Sequence, residues 1–267
     1  METVEIQEQE ITGAWSMFFQ SDRDWMIQML GRGGKFGHIY KIPRKDNGDD
    51  SKNESLWYRT DQGVEIPQDW IDTADVYWGI CPTDTELGKK NRTNKEIVTS
   101  LTALWGDFDT KDFGGDADKV AAHVDGLQPK PTTEILSGSG GNHSYWLLRE
   151  PYPVTAENRE EVEKTIDRWR AFIKSDPRAT GLARILRVPG TYNRKPDYPE
   201  PLPVTIRRCD RDLLYTYEEL VAMLPEEKPK NPPPPPATTA TSTNSAFAGA
   251  GSVSDEFLLE KMFSSPK

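Results

Sequence analysis

Two aspartates, Asp107 and Asp109, lie two residues apart after an apolar run, in the sequence Trp-Gly-Asp-Phe-Asp-Thr. Residues i and i+2 of a β-strand project from the same face, so both carboxylates would point together while Phe108 packs into the core. Neighbouring carboxylates repel each other unless a cation lies between them, and Mg²⁺ and Mn²⁺ prefer oxygen ligands. The spacing therefore suggests a divalent-metal site, although solvated loops and helix caps also contain such pairs.

A second candidate region is the glycine-rich stretch at residues 137–142, Ser-Gly-Ser-Gly-Gly-Asn, between two predicted strands, Thr133 to Leu136 and His143 to Leu148. Its glycines would let backbone N–H groups approach a ligand closely, and alternation puts His143 and Tyr145 on one face. No helix follows the loop, which excludes a P-loop or a dinucleotide fingerprint. Taken alone, a histidine at a strand start is more often structural than functional.

The charge of the chain is unevenly distributed. The net charge is −10, yet residues 168–211 contain eleven Lys and Arg against four Asp and Glu, a local balance of +7. A solvated helix face explains Arg168, Arg170 and Lys174, but it explains Arg184 and Arg187 less well, because apolar and turn residues surround them. A basic block beside a carboxylate pair suggests a site that holds phosphates between cations and metal-bound acids.

Hydrophobic periodicity and capping residues predict a mixture of helices and strands. His123 falls on a predicted helix without a partner at i±4, so we interpret it as a packed or surface histidine. The predicted helices are Ala14 to Leu30 (one or two, with Ser21 capping the second part), Asp116 to Leu127, Thr155 to Lys174 with Thr155 as its cap, and Tyr217 to Leu224. The further predicted strands are Phe36 to Ile42, Leu56 to Arg59, Val76 to Ile80 and Val204 to Arg208.

Composition divides the chain into four segments. We predict a disordered N-terminus at 1–12, a catalytic domain at 13–225, a Pro/Ala/Thr/Ser-rich linker at 226–252, and the start of a helical segment at 253–267. A linker that leads into an amphipathic pattern suggests that the chain belongs to a longer protein. No apolar window has the length of a membrane span and no secretory signal is visible, so we expect a soluble, cytoplasmic protein. The two cysteines form no zinc-binding motif.

Three motifs, WGDFD, SGSGGNHSYWLL and LARILRVPGTYNRK, occur in the order and approximate spacing of the archaeo-eukaryotic primase superfamily. The resemblance covers about Val76 to Arg208 and is to the branch found in phages, plasmids and other mobile elements. It implies an α+β fold with an RRM-like primase-polymerase catalytic core and an accompanying α/β subdomain, followed here by the disordered Pro-rich linker.

The resemblance also implies roles for individual residues. Asp107 and Asp109 would bind two Mg²⁺ or Mn²⁺ ions, and His143 would contact the phosphates of the incoming nucleotide. The third motif departs from the pattern, because Gly181 stands where many relatives have an acidic metal ligand. Asp176, five residues earlier, is the nearest acid and the candidate replacement. The implied nucleotide-binding residues are Ser137, Gly138, Ser139, Gly140, His143, Arg184, Arg187 and Lys195.

The function that these residues suggest is two-metal templated nucleotidyl transfer by a DNA primase and DNA polymerase in the replication of a mobile element. The expected partners are a single-stranded DNA template, nucleoside triphosphates, and a helicase module in the same or a longer chain. Two alternatives remain open at this point. The first is a non-catalytic replication-initiation module that binds single-stranded DNA. The second is a metal-dependent nuclease that uses the same carboxylates.

Overall fold

The computed structural model describes residues 21–43 and 52–226, which form two four-stranded antiparallel sheets. The first sheet contains β1 (Phe36–Pro43), β2 (Glu54–Arg59), β3 (Ala74–Gly79) and β7 (Ile185–Arg187), in the order β2-β1-β3-β7. The second contains β4 (Ser100–Phe108), β5 (Thr133–Leu136), β6 (Asn142–Pro153) and β10 (Thr205–Cys209), in the order β10-β5-β6-β4. Two short strands, β8 (Tyr192–Asn193) and β9 (Leu202–Pro203), pair separately.

Helices accompany both sheets in the described part of the chain. They are α1 (Asp22–Gly31), α2 (Gln68–Thr73), α3 (Ala117–Gly126), α4 (Arg159–Ile173) and α5 (Tyr217–Ala222), with 3₁₀ turns at Lys95–Ile97 and Thr110–Phe113. Along the chain, β4, α3, β5, β6, α4 and β10 occur in the β-α-β-β-α-β order of an RRM-like core, with the short strands β7, β8 and β9 between α4 and β10. In the sheet, β10 pairs with β5. The first sheet, with α2 beside β3, is the accompanying α/β unit. The predicted α+β fold class is confirmed.

Strand β4 is buried along its whole length because both of its faces are covered. On one face, the Trp146 ring of neighbouring β6 packs edge-on against Trp169 of α4, with centroids 4.9 Å apart. On the other face, the Tyr145 hydroxyl accepts a hydrogen bond of 2.9 Å from the Trp78 indole N–H of the first sheet. The strand that carries Asp107 is therefore held between a helical layer and a second sheet.

Most predicted helices are confirmed, with one error at a helix start. Ser21 caps α1 by accepting from the Asp24 N–H, and the residues before Ser21 lie outside the described part. Helix α4 does not begin at Thr155, because the Asn158 side chain accepts from the Thr155 N–H and donates to the Pro153 carbonyl, which holds residues 155–158 in a turn. Its predicted apolar stripe, Val162, Ile166, Trp169 and Ile173, is buried.

His123 of α3 is packed, as predicted. Its Nε2 lies 2.9 Å from the Ile173 carbonyl oxygen, and its ring contacts Phe108 and Phe113 with centroids 5.2 Å away. The segments predicted at 1–12 and 253–267, and all but residue 226 of the predicted linker, lie outside the described residues, so the four-part division of the chain stays a prediction. Within the described ranges, no helix has the length and hydrophobicity that crossing a bilayer requires.

Gly79 of β3 tests how tightly the first sheet is packed. A Cβ at this position would lie 2.1 Å from Cε1 of the buried His38 ring, so the Gly79→Ala variant must displace the imidazole. We expect the free energy of unfolding to fall by about 1–3 kcal/mol, measured by urea denaturation. The matched control is Gly126→Ala at the end of α3, where a Cβ meets no atom within 4 Å; its change should stay within about 1 kcal/mol. Equal midpoints for the two variants would contradict the prediction.

Candidate active site

Asp107 and His143 face each other across β4 and β6. They are direct partners in the antiparallel register, and the His143 Nε2 lies 3.6 Å from the Asp107 Oδ1. The other carboxylate oxygen of Asp107 accepts a hydrogen bond of 2.7 Å from the Arg184 guanidinium. Both Asp107 and His143 are buried. The imidazole is therefore on the same side of the sheet as the carboxylate.

Asp109 follows the last residue of β4 and stands before the 3₁₀ turn at Thr110–Phe113. Its carboxylate forms an ion pair with Lys111 and lines the same cavity as Asp107. The two aspartates thus share one cavity, although Asp109 reaches it from the turn and not from the strand.

Asp176 enters the site through the path of the backbone. After α4 the chain passes Lys174 in a left-handed conformation, with φ of 57°, and returns along the edge of β4, where the Asp176 N–H donates to the Asp107 carbonyl at 2.8 Å. The buried Asp176 carboxylate accepts from the Arg178 N–H at 2.8 Å and lies 3.4 Å from the Lys111 ammonium. The path of the backbone therefore brings Asp176 into the site, although it lies five residues before position 181.

Asp109, Asp112 and Asp176 each offer an oxygen within 4.8 Å of the other two. Asp112 was not among the residues predicted from sequence. Its position three residues after Asp109 could have indicated it, because residues i and i+3 of a 3₁₀ turn lie on the same side. A donor set of carboxylate oxygens fits a hard divalent cation such as Mg²⁺ or Mn²⁺. Asp107 lies outside this trio and is held by Arg184 and His143.

Five cations also line the cavity of about 380 Å³ that contains Asp107, Asp109, Asp176 and His143. Arg187 is nearly buried; it donates to the Asn193 side chain at 3.0 Å and stacks over the Tyr77 ring at 5.2 Å. The remaining basic lining residues are Lys111, Arg178, Arg184 and Lys195. The structure thus brings together every predicted metal ligand and all three predicted basic residues.

The glycine-rich loop lies elsewhere. Ser137, Gly138, Ser139 and Gly140 are not among the residues that line this cavity. The loop folds back onto the β8–β9 region: the Asn193 amide donates to the Ser137 carbonyl at 3.2 Å, and a Cβ at Gly138 would lie 2.8 Å from the Leu202 carbonyl. Of the predicted hairpin residues, His143 faces the cavity and these four do not.

The protein environment shifts the pKa values of the site. Burial lowers the pKa of His143 to about 4, against a smaller opposing effect of Asp107, so the imidazole is neutral at pH 7. For Asp176, burial favours the protonated form, but hydrogen bonds from Arg178 and the charge of Lys111 outweigh it and lower the pKa to about 2. The hydrogen bond with Asp109 raises the pKa of Lys111. Asp176 is therefore ionised at pH 7 and paired with cations.

Comparison with known proteins addresses the fold. No family model and no curated protein matches the chain. The structure is similar to the AEP domain of the primase-polymerase (PrimPol) of cyanophage S-2L, with a TM-score of 0.55 and 18% identity over 76% of this chain and 97% of that domain. The chain has a primase-polymerase fold. The predicted primase-polymerase fold is thereby confirmed.

Two further solved structures match this primase-polymerase fold more distantly. They are primase RepB′, at 15% identity over 74% of this chain and 61% of that one, and the catalytic domain of that primase in complex with initiator DNA, at 14% identity over 76% and 93%. Both have a TM-score of 0.44.

Proposed function

We propose that the chain is a DNA primase and DNA polymerase that performs metal-dependent templated nucleotidyl transfer in the replication of a phage or plasmid. The observation that carries the proposal is a single cavity that is lined by Asp107, Asp109 and Asp176 together with Arg184 and Lys195. Nucleotidyl transfer from a nucleoside triphosphate requires acids that hold divalent cations and residues nearby that hold the phosphates. The primase-polymerase fold supports this reading of the cavity.

The carboxylates of Asp109, Asp112 and Asp176, with Asp107 beside them, would hold two Mg²⁺ or Mn²⁺ ions. Bound ions of this kind neutralise a triphosphate and make a hydroxyl a better nucleophile. Lys111 forms ion pairs with Asp109 and Asp176, Arg178 with Asp176, and Arg184 with Asp107, and these cations balance part of the negative charge of the acids. No side chain of the protein needs to act as a nucleophile.

His143 and Arg184 would orient the phosphates. The neutral imidazole presents Nε2 toward Asp107, which favours the tautomer with the proton on that nitrogen and leaves an N–H donor inside the cavity. Arg184 donates a hydrogen bond to Asp107 and offers further N–H groups for a charge-assisted bond to a phosphate oxygen. Lys195 adds a point charge at the cavity wall.

The double variant Asp107→Ala plus Asp109→Ala tests the proposal in a primer-extension and de novo priming assay with Mg²⁺ or Mn²⁺. We expect incorporation to fall by more than about 100-fold, because even outer-shell partners of a metal contribute 10–100-fold. The control is Asp210→Ala plus Asp212→Ala, an exposed Asp-x-Asp pair outside the cavity. It should retain wild-type incorporation.

Three other outcomes would contradict the proposal. Unchanged incorporation in the Asp107 and Asp109 double variant would refute the metal assignment. Degradation of labelled single-stranded DNA without added nucleotides would favour a nuclease. Salt-sensitive DNA binding with no incorporation at any metal concentration would favour a replication-initiation module.

A further inference from the structure

A second groove, of about 480 Å³, adjoins the catalytic cavity. One wall is the segment 92–95 and the other is the segment 178–185. The groove shares Arg178, Arg184 and Ile185 with the cavity that contains the acids, so the two lie side by side.

The groove has a basic lining. Four cations, Arg92, Lys95, Arg178 and Arg184, line it together with a single acid, Glu163. Lys95 lies 3.2 Å from Glu163 and neutralises it. Arg92 is exposed and lies over the Tyr40 ring at 6.0 Å, and it forms no ion pair with any carboxylate among the described residues. Arg178 and Arg184 pair with Asp176 and Asp107 of the neighbouring cavity, so Arg92 supplies the positive charge of the groove that no acid in the described part of the chain balances. Such a charge attracts a polyanion.

Gly181, where the resemblance leads us to expect an acid, lies in this groove and not in the catalytic cavity. Its φ is +84°, and a Cβ built there would meet only the Glu163 Oε1, at 4.0 Å. The position therefore has room for a side chain, and a carboxylate there would lie among the cations of the groove. Glycine keeps the groove free of a second acid.

We propose that this groove binds the sugar-phosphate backbone of a single nucleic-acid strand whose end enters the catalytic cavity. The proposal rests on the proposed function, because nucleotidyl transfer joins a strand to a nucleotide and the two reactants need adjoining sites. The cavity with the acids and His143 would hold the nucleotide, and the groove is the basic surface that adjoins it. A positively charged groove that follows the backbone is the usual mode of single-strand binding.

Fluorescence anisotropy of a labelled oligothymidylate of about 20 nucleotides tests the groove, with the full chain in EDTA and without nucleotides. In the variant Arg92→Ala plus Lys95→Ala we expect at least about tenfold weaker binding. The slope of log affinity against log salt, measured from about 50 to 200 mM, should also become shallower by about 0.7 for each lost phosphate contact.

The matched control is Lys119→Ala plus Lys164→Ala. Lys164 and Lys95 have similar side-chain exposures, 57% and 55%. Each also pairs with a glutamate: Lys164 lies 3.5 Å from Glu160, and Lys95 lies 3.2 Å from Glu163. Neither control lysine lines the groove. Equal affinities and equal salt slopes for the groove variant and the control would overturn the proposal.

Gly181→Asp and Gly181→Asn form an isosteric pair that differs in charge. Both residues tolerate the left-handed conformation better than other side chains, so the two variants share the backbone cost. We expect Gly181→Asp to bind the oligonucleotide at least about threefold more weakly than Gly181→Asn, and the difference should shrink at high salt. Equal binding by the two variants would also refute the groove as a phosphate site.

The two proposals can fail separately, because this assay needs neither metal nor catalysis. A wild-type chain that binds the strand through Arg92 and Lys95 but incorporates no nucleotide would refute the proposed function and leave the groove intact. A chain that incorporates nucleotides while the groove variant binds DNA normally would refute the groove alone.

Discussion

Replacing Asp176 with asparagine is expected to lower nucleotide incorporation by more than about 100-fold. The Asp176 carboxylate is buried, its pKa is lowered to about 2, and one of its oxygens lies within 4.8 Å of oxygens of Asp109 and Asp112. Asparagine preserves the size of the side chain and removes the charge. A ligand that is fixed and ionised before the cation arrives contributes more than one that must first be ordered.

Asp112→Asn is the matched comparison for Asp176→Asn. Asp112 belongs to the same trio but is exposed, so water can replace its oxygen, and we expect a smaller loss. Binding of Mn²⁺, followed by electron paramagnetic resonance, should rank the variants in the same order as incorporation does. Urea denaturation identifies any variant that is merely unfolded. Full incorporation by a folded Asp176→Asn variant would show that Asp176 is not the third ligand.

The strands around the site were predictable because they obey a local rule. The period of two predicts which residues of one strand share a face, as it does for His143 and Tyr145 in β6, whereas the pairing of Asp107 with His143 depends on the register of β4 and β6. The N-cap at Ser21 was equally predictable, because its side chain bonds to the backbone N–H of Asp24, only three residues further along the chain. The start of α4 was not predicted correctly, because the Asn158 side chain accepts a hydrogen bond from the Thr155 N–H and the helix begins after Asn158 and not after Thr155.

Other features of the site depend on contacts between distant parts of the chain. Asp176 reaches the cavity because its N–H bonds to the Asp107 carbonyl, and sequence spacing from Gly181 contains no information about that bond. Arg187 was predicted beside a nucleotide, yet its guanidinium also lies 3.7 Å from the buried Asp75 carboxylate. Whether a cation faces a ligand or a buried acid is decided by tertiary packing, which composition does not specify.

Acidification is expected to destabilise the protein through His38. The imidazole is buried, stacks on Trp57 with centroids 5.1 Å apart, and places Nδ1 2.9 Å from the Thr93 hydroxyl. Burial, with a smaller effect of the Arg92 charge, lowers the pKa of His38 from 6.5 to about 3. Between pH 6.5 and about pH 3, the unfolded chain therefore binds a proton at His38 and the folded protein does not. Stability is unaffected above the unfolded pKa and declines as the pH falls from 6.5 toward 3.

The His38→Gln variant isolates this contribution. Each histidine that must stay neutral adds about 1.4 kcal/mol per pH unit to the decline, so the slope of unfolding free energy between about pH 6 and pH 4 should be shallower by that amount. His143 and the carboxylates continue to contribute in both proteins, so the comparison is of slopes and not of absolute stabilities.

The Thr93→Val variant separates burial from hydrogen bonding as the cause. It removes the hydroxyl beside Nδ1 but leaves the imidazole covered, so the acid slope should remain close to that of the wild type. Urea titrations at several pH values give both slopes. If His38→Gln retains the wild-type slope, the imidazole is protonated in the folded state and the packing between β1 and Gly79 is looser than the contacts indicate.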